Sequence, residues 1–410
     1  MAASEEASLG PRFWTLWSAF TATNLADGLS LVALPLLALA ATDDARLVAM
    51  VVMFQYLPFL VIGLPAGVVI DRFDRRRIAV AAQMARAAVV GGLGLALLQG
   101  TPAPAVLFVV SFLIGVSEVL TDGGLPALVR ALVRLDQLEV ANARLSATQT
   151  VSNAFVGPPL GALLFELDMS LPFIASAAVT MLGVVGLLRL PGTYEPAVEE
   201  AESLDIRSVL VGVRYVWSHD VLRPLVVAVG LFSFVGAAGN GVFVVLASER
   251  FGLDGVGFGL LISFDAIAAV LTSTVVAGFI SRTSHSWSMR TAVICFVIAS
   301  MLYGLSTNPV LAFAGALFAG VSGPGWNIVS ATVRQRLVPD AVFGRMMTAY
   351  LFIAWGARPL GALIGGFVAE RWGPQWVWIG AGLVVGSLLI TARSMFARID
   401  AAMDPGRPAD

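Results

Sequence analysis

Long apolar segments recur along the whole of this chain and leave few folds open to it. Each runs for about twenty residues, the length at which an α-helix crosses the hydrocarbon core of a bilayer. Of the 410 residues, 58% are hydrophobic and 13% are charged, whereas a soluble domain carries roughly a quarter charged residues. Because a core surrounded by water cannot take up so much apolar surface, we predict an all-α integral membrane protein.

Twelve segments are long and apolar enough to predict twelve transmembrane helices. They lie at residues 13–40, 47–70, 78–99, 104–125, 141–166, 171–190, 222–247, 257–280, 290–307, 309–333, 345–369 and 375–395.

The arginines predict how these helices are oriented. If the N-terminus is cytoplasmic, twenty of the 25 cationic residues fall in cytoplasmic tails, loops and helix ends, and only Arg46, Arg250 and Arg371 fall on the opposite side. This asymmetry satisfies the positive-inside rule. We therefore expect a multi-pass protein of the cytoplasmic (inner) membrane with both termini in the cytoplasm. Tryptophans near the predicted interfaces agree with this placement: Trp14, Trp17, Trp372, Trp376 and Trp378.

The pentapeptide PLGAL occurs twice, beginning at Pro159 and at Pro359, in the fifth and the eleventh segments. Between the two copies, residues 192–220 begin with acidic sequence and continue with "SLDIRSVLVGVRYVWSH", whose apolar residues recur at helical spacing. We interpret this region as a linker with an amphipathic helix on the cytoplasmic membrane face. The expected architecture is two pseudo-symmetric six-helix bundles, residues 1–191 and 221–395, with the linker 192–220 between them and a cytoplasmic tail, 396–410.

The loop between the second and third segments, "GVVIDRFDRRRIAV", resembles the signature loop of the major facilitator superfamily. Asp74 stands where that family usually has a second glycine, and the matching residues are Gly67, Asp71, Arg72, Arg75, Arg76 and Arg77. Three longer stretches resemble the bacterial secretion-effector group of this superfamily, which contains the enterobactin exporter and macrolide efflux proteins. They are "FWTLWSAFTATNLADGLSLVALPLLAL", "LVRLDQLEVANARLSATQTVSNAFVGPPLGALLFE" and "VRQRLVPDAVFGRMMTAY".

The resemblance implies a secondary transporter that exports an amphipathic small molecule (a drug, siderophore or natural product) in exchange for protons, by alternating access. It also implies a gate in which Asp122 pairs with the arginines of the loop. We expect Asp71 to cap a helix of the other half, because a carboxylate is stabilised at a helix N-terminus; a solvated loop charge is the alternative.

The stretch "NAFVGPPLGA" resembles the antiporter signature of drug exporters through Gly157, Pro158 and Gly161, with Pro159 beside them. The alternative is that this stretch only packs and bends the helix, because glycine allows close approach and proline removes backbone donors.

Each ionisable side chain inside the bilayer needs a reason, since its insertion costs at least ~2.5–3.5 kcal/mol. Asp27 lies midway along the first segment, with Asn24 one turn before it, and is our first candidate for proton coupling; a structural tie to a neighbouring helix is the alternative. Glu118 shares a helix face with Asp122, and both coupling and contact with a cationic substrate stay open for it. Arg86 is interpreted as a residue that snorkels to the cytoplasmic face.

Asp265 and Arg358 lie inside the eighth and eleventh segments. Asp265 either faces the transport cavity or pairs with Arg358. Because arginine keeps its proton, Arg358 needs an anion, which could be Asp265, Glu118 or an acidic substrate. Four uncharged residues either line the cavity or simply pack between helices: Asn240, Asn327, Trp326 and Trp355.

No motif in the sequence points to catalysis or to a metal. Both histidines, His219 and His285, fall in predicted loops, and Cys295 is the single cysteine. The net charge of −2 does not favour a nucleic-acid partner. We expect a monomeric transporter, not an enzyme, with no cofactor, whose partners are its small-molecule substrate, protons and the lipid bilayer. A proton-coupled uptake symporter for a small metabolite and a non-transporting membrane sensor remain as alternatives.

Overall fold

The computed structural model describes residues 9–70, 72–194 and 206–403, and helices account for nearly all of them. The first part of the chain contains α1 (Pro11–Ala41), α2 (Ala45–Val61), α3 (Gly63–Ile70), α4 (Arg75–Leu97), α5 (Pro104–Leu132), α6 (Leu138–Gln149), α7 (Gly157–Leu167) and α8 (Leu171–Leu188). The second part contains α9 (Ile206–Ser218), α10 (Leu222–Gly241), α11 (Phe243–Phe251), α12 (Gly255–Arg282), α13 (His285–Leu305), α14 (Pro309–Leu337), α15 (Asp340–Trp372), α16 (Pro374–Gly386), α17 (Leu388–Thr391) and α18 (Arg393–Met403).

Side chains of short polar residues determine where several of these helices begin. Asp254 accepts a hydrogen bond from the backbone N–H of Gly257 at 2.7 Å, and Asn308 accepts one from Val310 at 2.9 Å. Such caps satisfy backbone donors that the first helical turn leaves without partners. At the C-terminus of α11, Gly252 adopts the left-handed conformation that commonly ends a helix.

The described helices cover all twelve predicted segments. Within the described residues, ten helices are long and apolar enough to cross a membrane. The segment 47–70 is formed by α2 followed by α3, and the segment 141–166 by α6, a π-helical stretch (Thr150–Val156) and α7. The all-α membrane class is therefore confirmed, while the count of twelve crossings stays a prediction.

The chain divides into two compact units. The first comprises residues 1–41 and 57–204, and the second comprises residues 42–56 and 205–410. The boundaries predicted from the linker stay a prediction, and the division shows in addition that residues 42–56 pack with the second unit. There the backbone N–H of Ala45 donates to the Glu370 carboxylate at 3.0 Å, and Ala49 lies against Gly241.

In the first unit, α1 and α7 cross with their backbones in direct contact at glycines. A Cβ added to Gly157 would lie 2.5 Å from the Cα of Gly28, and one added to Gly161 would lie 2.9 Å from the Cα of Leu29. Neither distance leaves room for a side chain. In the first PLGAL copy Gly161 thus faces α1, Ala162 is fully buried and Leu160 is exposed.

The second PLGAL copy makes the same crossing in the second unit, where α15 packs against α10. A Cβ on Gly361 would lie 3.0 Å from the Cα of Phe234 and would overlap its carbonyl oxygen. Ala362 is fully buried and Leu360 is exposed, as in the first copy. The pentapeptide therefore recurs because the fifth helical segment of each unit needs small residues facing the first segment and large ones facing away.

The π-helical stretch explains how Pro158 and Pro159 are accommodated. They occupy the first turn of α7, where a backbone N–H is not needed. The N–H of Gly157 donates to the carbonyl of Ser152, five residues earlier, which is the π pattern. The prolines therefore begin a new helical stretch after a widened turn rather than kinking a continuous helix.

The amphipathic helix predicted in the linker is present as α9, and it packs against α15. Val216 belongs to the buried core of the second unit, and Gly212 lies against the backbone of Arg345. The opposite face exposes Leu210 and Trp217. Its placement on the membrane surface stays a prediction.

Asp74, the departure from the family pattern in the signature loop, fastens two segments of the first unit. Its carboxylate accepts hydrogen bonds from the backbone N–H groups of Arg77 at 3.1 Å and Tyr194 at 3.0 Å. Burial of the carboxylate opposes its ionisation, but these hydrogen bonds prevail and hold the pKa of Asp74 below its usual range. A glycine at this position could neither cap α4 nor hold the chain at residue 194.

Replacing Gly161 by alanine should lower the stability of the protein, because the new methyl group must force α1 and α7 apart. Overpacking of this kind costs about 1–3 kcal/mol. The matched control is Gly92→Ala in α4, where a Cβ meets no other atom within 4 Å and should stabilise the helix slightly. Thermal unfolding in detergent, monitored by size-exclusion chromatography, distinguishes the two variants. Equal midpoint temperatures of unfolding would contradict the tight crossing.

Replacing Asp74 by alanine should cost about 1 kcal/mol of stability at neutral pH through loss of the helix cap. Because the pKa of Asp74 is lowered in the folded state, its stabilisation is present above the ordinary pKa of about 4 and is lost as pH falls through the lowered value. The difference in melting temperature between wild type and Asp74→Ala should therefore be constant from pH 8 to 5 and narrow in more acidic buffer. Asp136→Ala, in an exposed loop, should show no such difference.

Candidate functional site

The first unit places a charged cluster between three of its apolar helices. Asp27 of α1 and Arg86 of α4 form an ion pair, and the Arg86 side chain is only 2% exposed. The interpretation of Arg86 as a snorkelling residue is therefore wrong, because its guanidinium points into the helix bundle and finds a carboxylate there. Asp27 is partly exposed, with 21% of its side chain accessible.

Asp122 of α5 belongs to the same cluster. Its carboxylate lies close enough to Asp27 and Arg86 to interact electrostatically with both, and its side chain is exposed. The cluster thus contains two carboxylates and one guanidinium, of which only Asp27 and Arg86 form an ion pair, and its net charge is −1 when both carboxylates are ionised. Glu118, one turn earlier on α5, is half-buried.

Several polar atoms around the cluster have spare hydrogen-bonding capacity. Gln83, one turn before Arg86, donates to the Thr121 hydroxyl at 3.3 Å, while its carbonyl oxygen has no hydrogen-bond partner. The Nε of Arg86 also lacks an acceptor. Buried polar atoms rarely stay unsatisfied, so this site has places for water or a polar ligand. Asn24 does not contribute to these polar positions, because it is buried and its side-chain amide donates to the carbonyl of Phe20 in its own helix at 2.9 Å.

Two arginines of the signature loop contact the chain just after α8, at residues 190 and 194. The Arg76 guanidinium donates to the carbonyl of Leu190, and the backbone N–H of Arg75 donates to Tyr194 at 3.3 Å. Gly67 lies in α3, and Arg72 and Arg77 are exposed. Asp71 lies outside the described residues. Among the residues that are described, Asp122 is not within ion-pair distance of the loop arginines, and the gate stays a prediction.

The second unit contains a cavity of about 330 Å³ that is lined mainly by aromatic and polar side chains. It includes Arg358, Asn240, Asn327 and Trp326, four of the residues proposed from sequence. Asp265 is not part of the lining. The other main side chains that line the cavity are Tyr56, Phe232, Ser233, Phe296 and Trp378.

Arg358 is stacked between aromatic rings instead of being paired with an acid. Its guanidinium carbon lies 3.9 Å from the ring centre of Trp355 and 5.1 Å from that of Tyr56. No carboxylate of the described residues lies within ion-pair distance of it. The structure therefore does not bring Arg358 together with Asp265, one of the pairings that the sequence left open.

Two tryptophans of the cavity carry buried N–H donors without acceptors. Trp326 is 3% and Trp378 is 6% exposed, and neither indole Nε1 has a hydrogen-bond partner. The Trp378 ring packs at 4.7 Å from Tyr303 and 5.2 Å from Phe243 between ring centres. Its predicted position near a membrane interface stays a prediction.

Asp265 lies on α12 where that helix meets α14. Its backbone carbonyl faces Gly320, and its charge acts on the buried Tyr303. The side chain is half-buried and has no ion-pair partner among the residues that the structure describes. It therefore remains available for protonation or for a polar ligand.

A larger cavity of about 550 Å³ borders α12, α13 and α14, but it holds none of the residues proposed from sequence. Its lining is mostly small, aliphatic and hydroxylated, with Arg282 as its single charged side chain. Within the described ranges, no three histidine, cysteine, aspartate or glutamate side chains are grouped as a metal would need. We therefore take the charged cluster of the first unit and the aromatic cavity of the second as two separate candidate sites.

Comparison with protein families gives one match that covers almost the whole chain. A family model described as "transmembrane secretion effector" matches residues 9–408. The multidrug efflux pump Tap of Mycolicibacterium fortuitum is 28% identical over 381 residues, which cover 89% of this chain and 90% of the relative. Macrolide efflux protein A of Streptococcus pyogenes is 22% identical over 388 residues, 91% of this chain and 93% of the relative.

Solved structures of transporters share the fold. The crystal structure of the nucleoside transporter NupG aligns with a TM-score of 0.73 at 14% identity, covering 94% of this chain and 99% of the other. A bacterial homologue of the iron transporter ferroportin, solved in an inward-facing state, aligns with a TM-score of 0.71 at 15% identity, covering 96% of this chain and 100% of the other. At these identities the likeness concerns the fold alone.

Removing one member of the Asp27–Arg86 pair should destabilise the protein more than removing both. A single change, Asp27→Asn or Arg86→Gln, leaves a charge without its partner inside the bundle, which costs about 3–5 kcal/mol. The double variant should recover part of that loss. The measurement is the free energy of unfolding in mixed detergent micelles, analysed as a double-mutant cycle.

The control cycle uses Arg134 and Asp136, an exposed pair 3.1 Å apart, for which we expect a coupling below about 1 kcal/mol. If both cycles gave the same small coupling, the buried ion pair would have to be abandoned.

Proposed function

The chain belongs to the transmembrane secretion effector family of the major facilitator superfamily, and from this premise we propose that it exports amphipathic small molecules in exchange for protons. The family is one of membrane transporters, so the chain is a transporter and not an enzyme. Export is favoured by the names of the relatives, which are multidrug and macrolide efflux proteins. We place it in the cytoplasmic membrane as a monomer, with both termini in the cytoplasm.

The observation that carries proton coupling is the Asp27–Arg86 pair with Asp122 beside it. In the deprotonated state Asp27 neutralises Arg86. A proton on Asp27 cancels that attraction and leaves Arg86 to act on Asp122 alone. One protonation step therefore shifts the electrostatic attraction of α4 from α1 to α5. A change of this kind can bias a transporter between two conformations, as alternating access requires.

The proton gradient supplies enough free energy for this work. Each 100 mV of membrane potential contributes ~2.3 kcal/mol per charge moved, and that corresponds to roughly 50-fold accumulation of substrate. Since the sequence contains no ATP-binding motif, an ion gradient is the energy source that we propose. Asp265 is a second candidate proton carrier, because its carboxylate has no ion-pair partner among the described residues.

Gating on the cytoplasmic side is assigned to the signature loop, Gly67 to Arg77, together with Asp122. Asp74 supports this role, because its hydrogen bonds to Arg77 and Tyr194 join the loop to the chain segment that leaves α8. Motion of that segment would therefore be transmitted to the start of α4. The stretch from Gly157 to Gly161 acts as a tight packing joint within its unit, which the crossing with α1 favours.

Transport in everted membrane vesicles tests export directly. Vesicles from cells that overproduce the protein should accumulate a lipophilic dye or antibiotic when respiration acidifies their interior, and a protonophore should abolish the accumulation. Asp27→Asn should lose gradient-driven accumulation at both acidic and neutral pH, yet retain exchange of labelled for unlabelled substrate down its gradient. Asp136→Asn, in an exposed loop, should behave as wild type.

Two results would redirect the proposal. Accumulation in right-side-out vesicles in place of everted ones would indicate an uptake symporter. Unchanged gradient-driven export by Asp27→Asn would move the coupling role to another carboxylate, with Asp265 tested next.

A further inference from the structure

We propose that the aromatic cavity of the second unit binds flat aromatic organic anions of one or two rings, with their acidic group at Arg358. The inference rests on the proposed function for its meaning as a substrate class, and it requires neither export nor proton coupling in order to hold as a statement about binding.

The cation in the cavity is the first step of the argument. Arg358 lies well inside α15, in a segment long and apolar enough to span the membrane, and no described carboxylate is within ion-pair distance of it. Its contacts are with the faces of Trp355 and Tyr56. Aromatic faces stabilise a guanidinium but accept none of its five N–H groups in good hydrogen bonds. A carboxylate or phenolate ligand would supply both the missing charge and the missing acceptors.

The indole donors are the second step. Trp326 and Trp378 both line the cavity, and each has a buried Nε1–H without an acceptor. A buried donor without a partner is costly, and indole can donate but not accept. Asn240 and Asn327 also line the cavity, and each amide offers two N–H donors beside its acceptor oxygen. The lining is therefore rich in hydrogen-bond donors and contains no carboxylate, so it favours ligands rich in acceptors.

The aromatic rings and the volume are the third step. Phe232 lies 4.6 Å from Trp326 and 5.4 Å from Phe296 between ring centres, with the ring planes inclined by 39° and 76°, so the three rings form one aromatic cluster. A flat ring system can stack on one of these rings and meet another at its edge. The cavity of about 330 Å³ is near the lower end of the range for small-molecule sites. One or two fused rings fit that volume, whereas a macrocycle does not.

The sign of the charge distinguishes this inference from the cationic substrate that the sequence left open for Glu118. A cationic ligand in the cavity would face Arg358 without any lining acid to compensate. Asp265, the carboxylate in the middle of α12, acts on Tyr303 and is not part of the lining. The cavity should therefore discriminate against amines of the same shape.

The test is isothermal titration calorimetry on the purified full-length protein in lipid nanodiscs, with protein-free nanodiscs subtracted. Three ligands share one ring system and differ in charge: 2-naphthoate, neutral 2-naphthylmethanol and cationic 2-naphthylmethylammonium. We expect 2-naphthoate to bind at least about tenfold more tightly than either of the others, as a charge-assisted hydrogen bond to Arg358 implies. Equal affinity for the three ligands, or preference for the amine, would overturn the proposal.

Variants assign the preference to named atoms. Arg358→Gln should weaken 2-naphthoate about tenfold or more and leave 2-naphthylmethanol unchanged, so the neutral ligand also reports that the cavity is intact. Arg358→Lys should retain the sign of the preference and lose part of its size, because lysine keeps the charge without the planar fork. Trp326→Phe keeps the ring and removes the N–H, and it should weaken the anion several-fold. Arg371→Gln, an exposed arginine at the end of the same helix, is the matched control and should bind as wild type.

Failure of this inference is distinguishable from failure of the proposed function. If Arg358→Gln left the affinity for 2-naphthoate unchanged, the anion site would be wrong while gradient-driven export by vesicles could still stand. If the anion preference held and vesicles showed no proton-dependent export, the cavity would stand and the coupling proposal would fall.

Discussion

Backbone contact between the first and fifth helical segments of each unit is the constraint on which the other features depend. Gly161 in the first unit and Gly361 in the second lie against a neighbouring backbone where no side chain fits. Within a bilayer, lipid is as apolar as the side chains, so close packing holds helices together where the hydrophobic effect cannot. Small residues on the contact side and leucines on the exposed side are therefore required twice, and PLGAL satisfies that requirement in both units.

The same contact determines which way the polar residues of these helices face. Gly28 and Leu29 are held against α7, so the adjacent Asp27 is turned to another side of α1, where it meets Arg86 of α4. On α15, Gly361 faces α10, and Arg358, about one turn earlier, stands at the edge of the aromatic cavity. An aspartate or arginine within an apolar helix is costly wherever it points. The glycine crossing makes its direction reproducible, which a functional site needs.

How far the sequence predicts these features depends on whether the signal is local. Segment length and composition predict the helices, and the repeated pentapeptide predicts that the two fifth segments do the same job. Polarity within an apolar run is also local, and it finds Asp27, Asp122, Arg358 and Trp326. The ion pair of Arg86 and the place of Trp378 in the cavity lining were not predicted, because both depend on which side chains face them from helices distant in sequence. Asp74 shows a third case: its departure from the family pattern is visible, but its bond to Tyr194, 120 residues away, is not.

The two units share a helical arrangement but differ in the sign of the charge at their polar sites. Where the first copy of the repeat has Pro158, the second has Arg358. The first unit collects two carboxylates around one guanidinium, and the second exposes a guanidinium to an aromatic cavity without a lining acid. A cluster with a net charge of −1 becomes neutral when it gains one proton. A cationic cavity instead attracts an anion and repels the coupling ion. In the mechanism that we propose, the proton binds in the first unit and the anionic ligand in the second, so that they do not neutralise each other at a single site and each contributes its own binding free energy to the transport cycle.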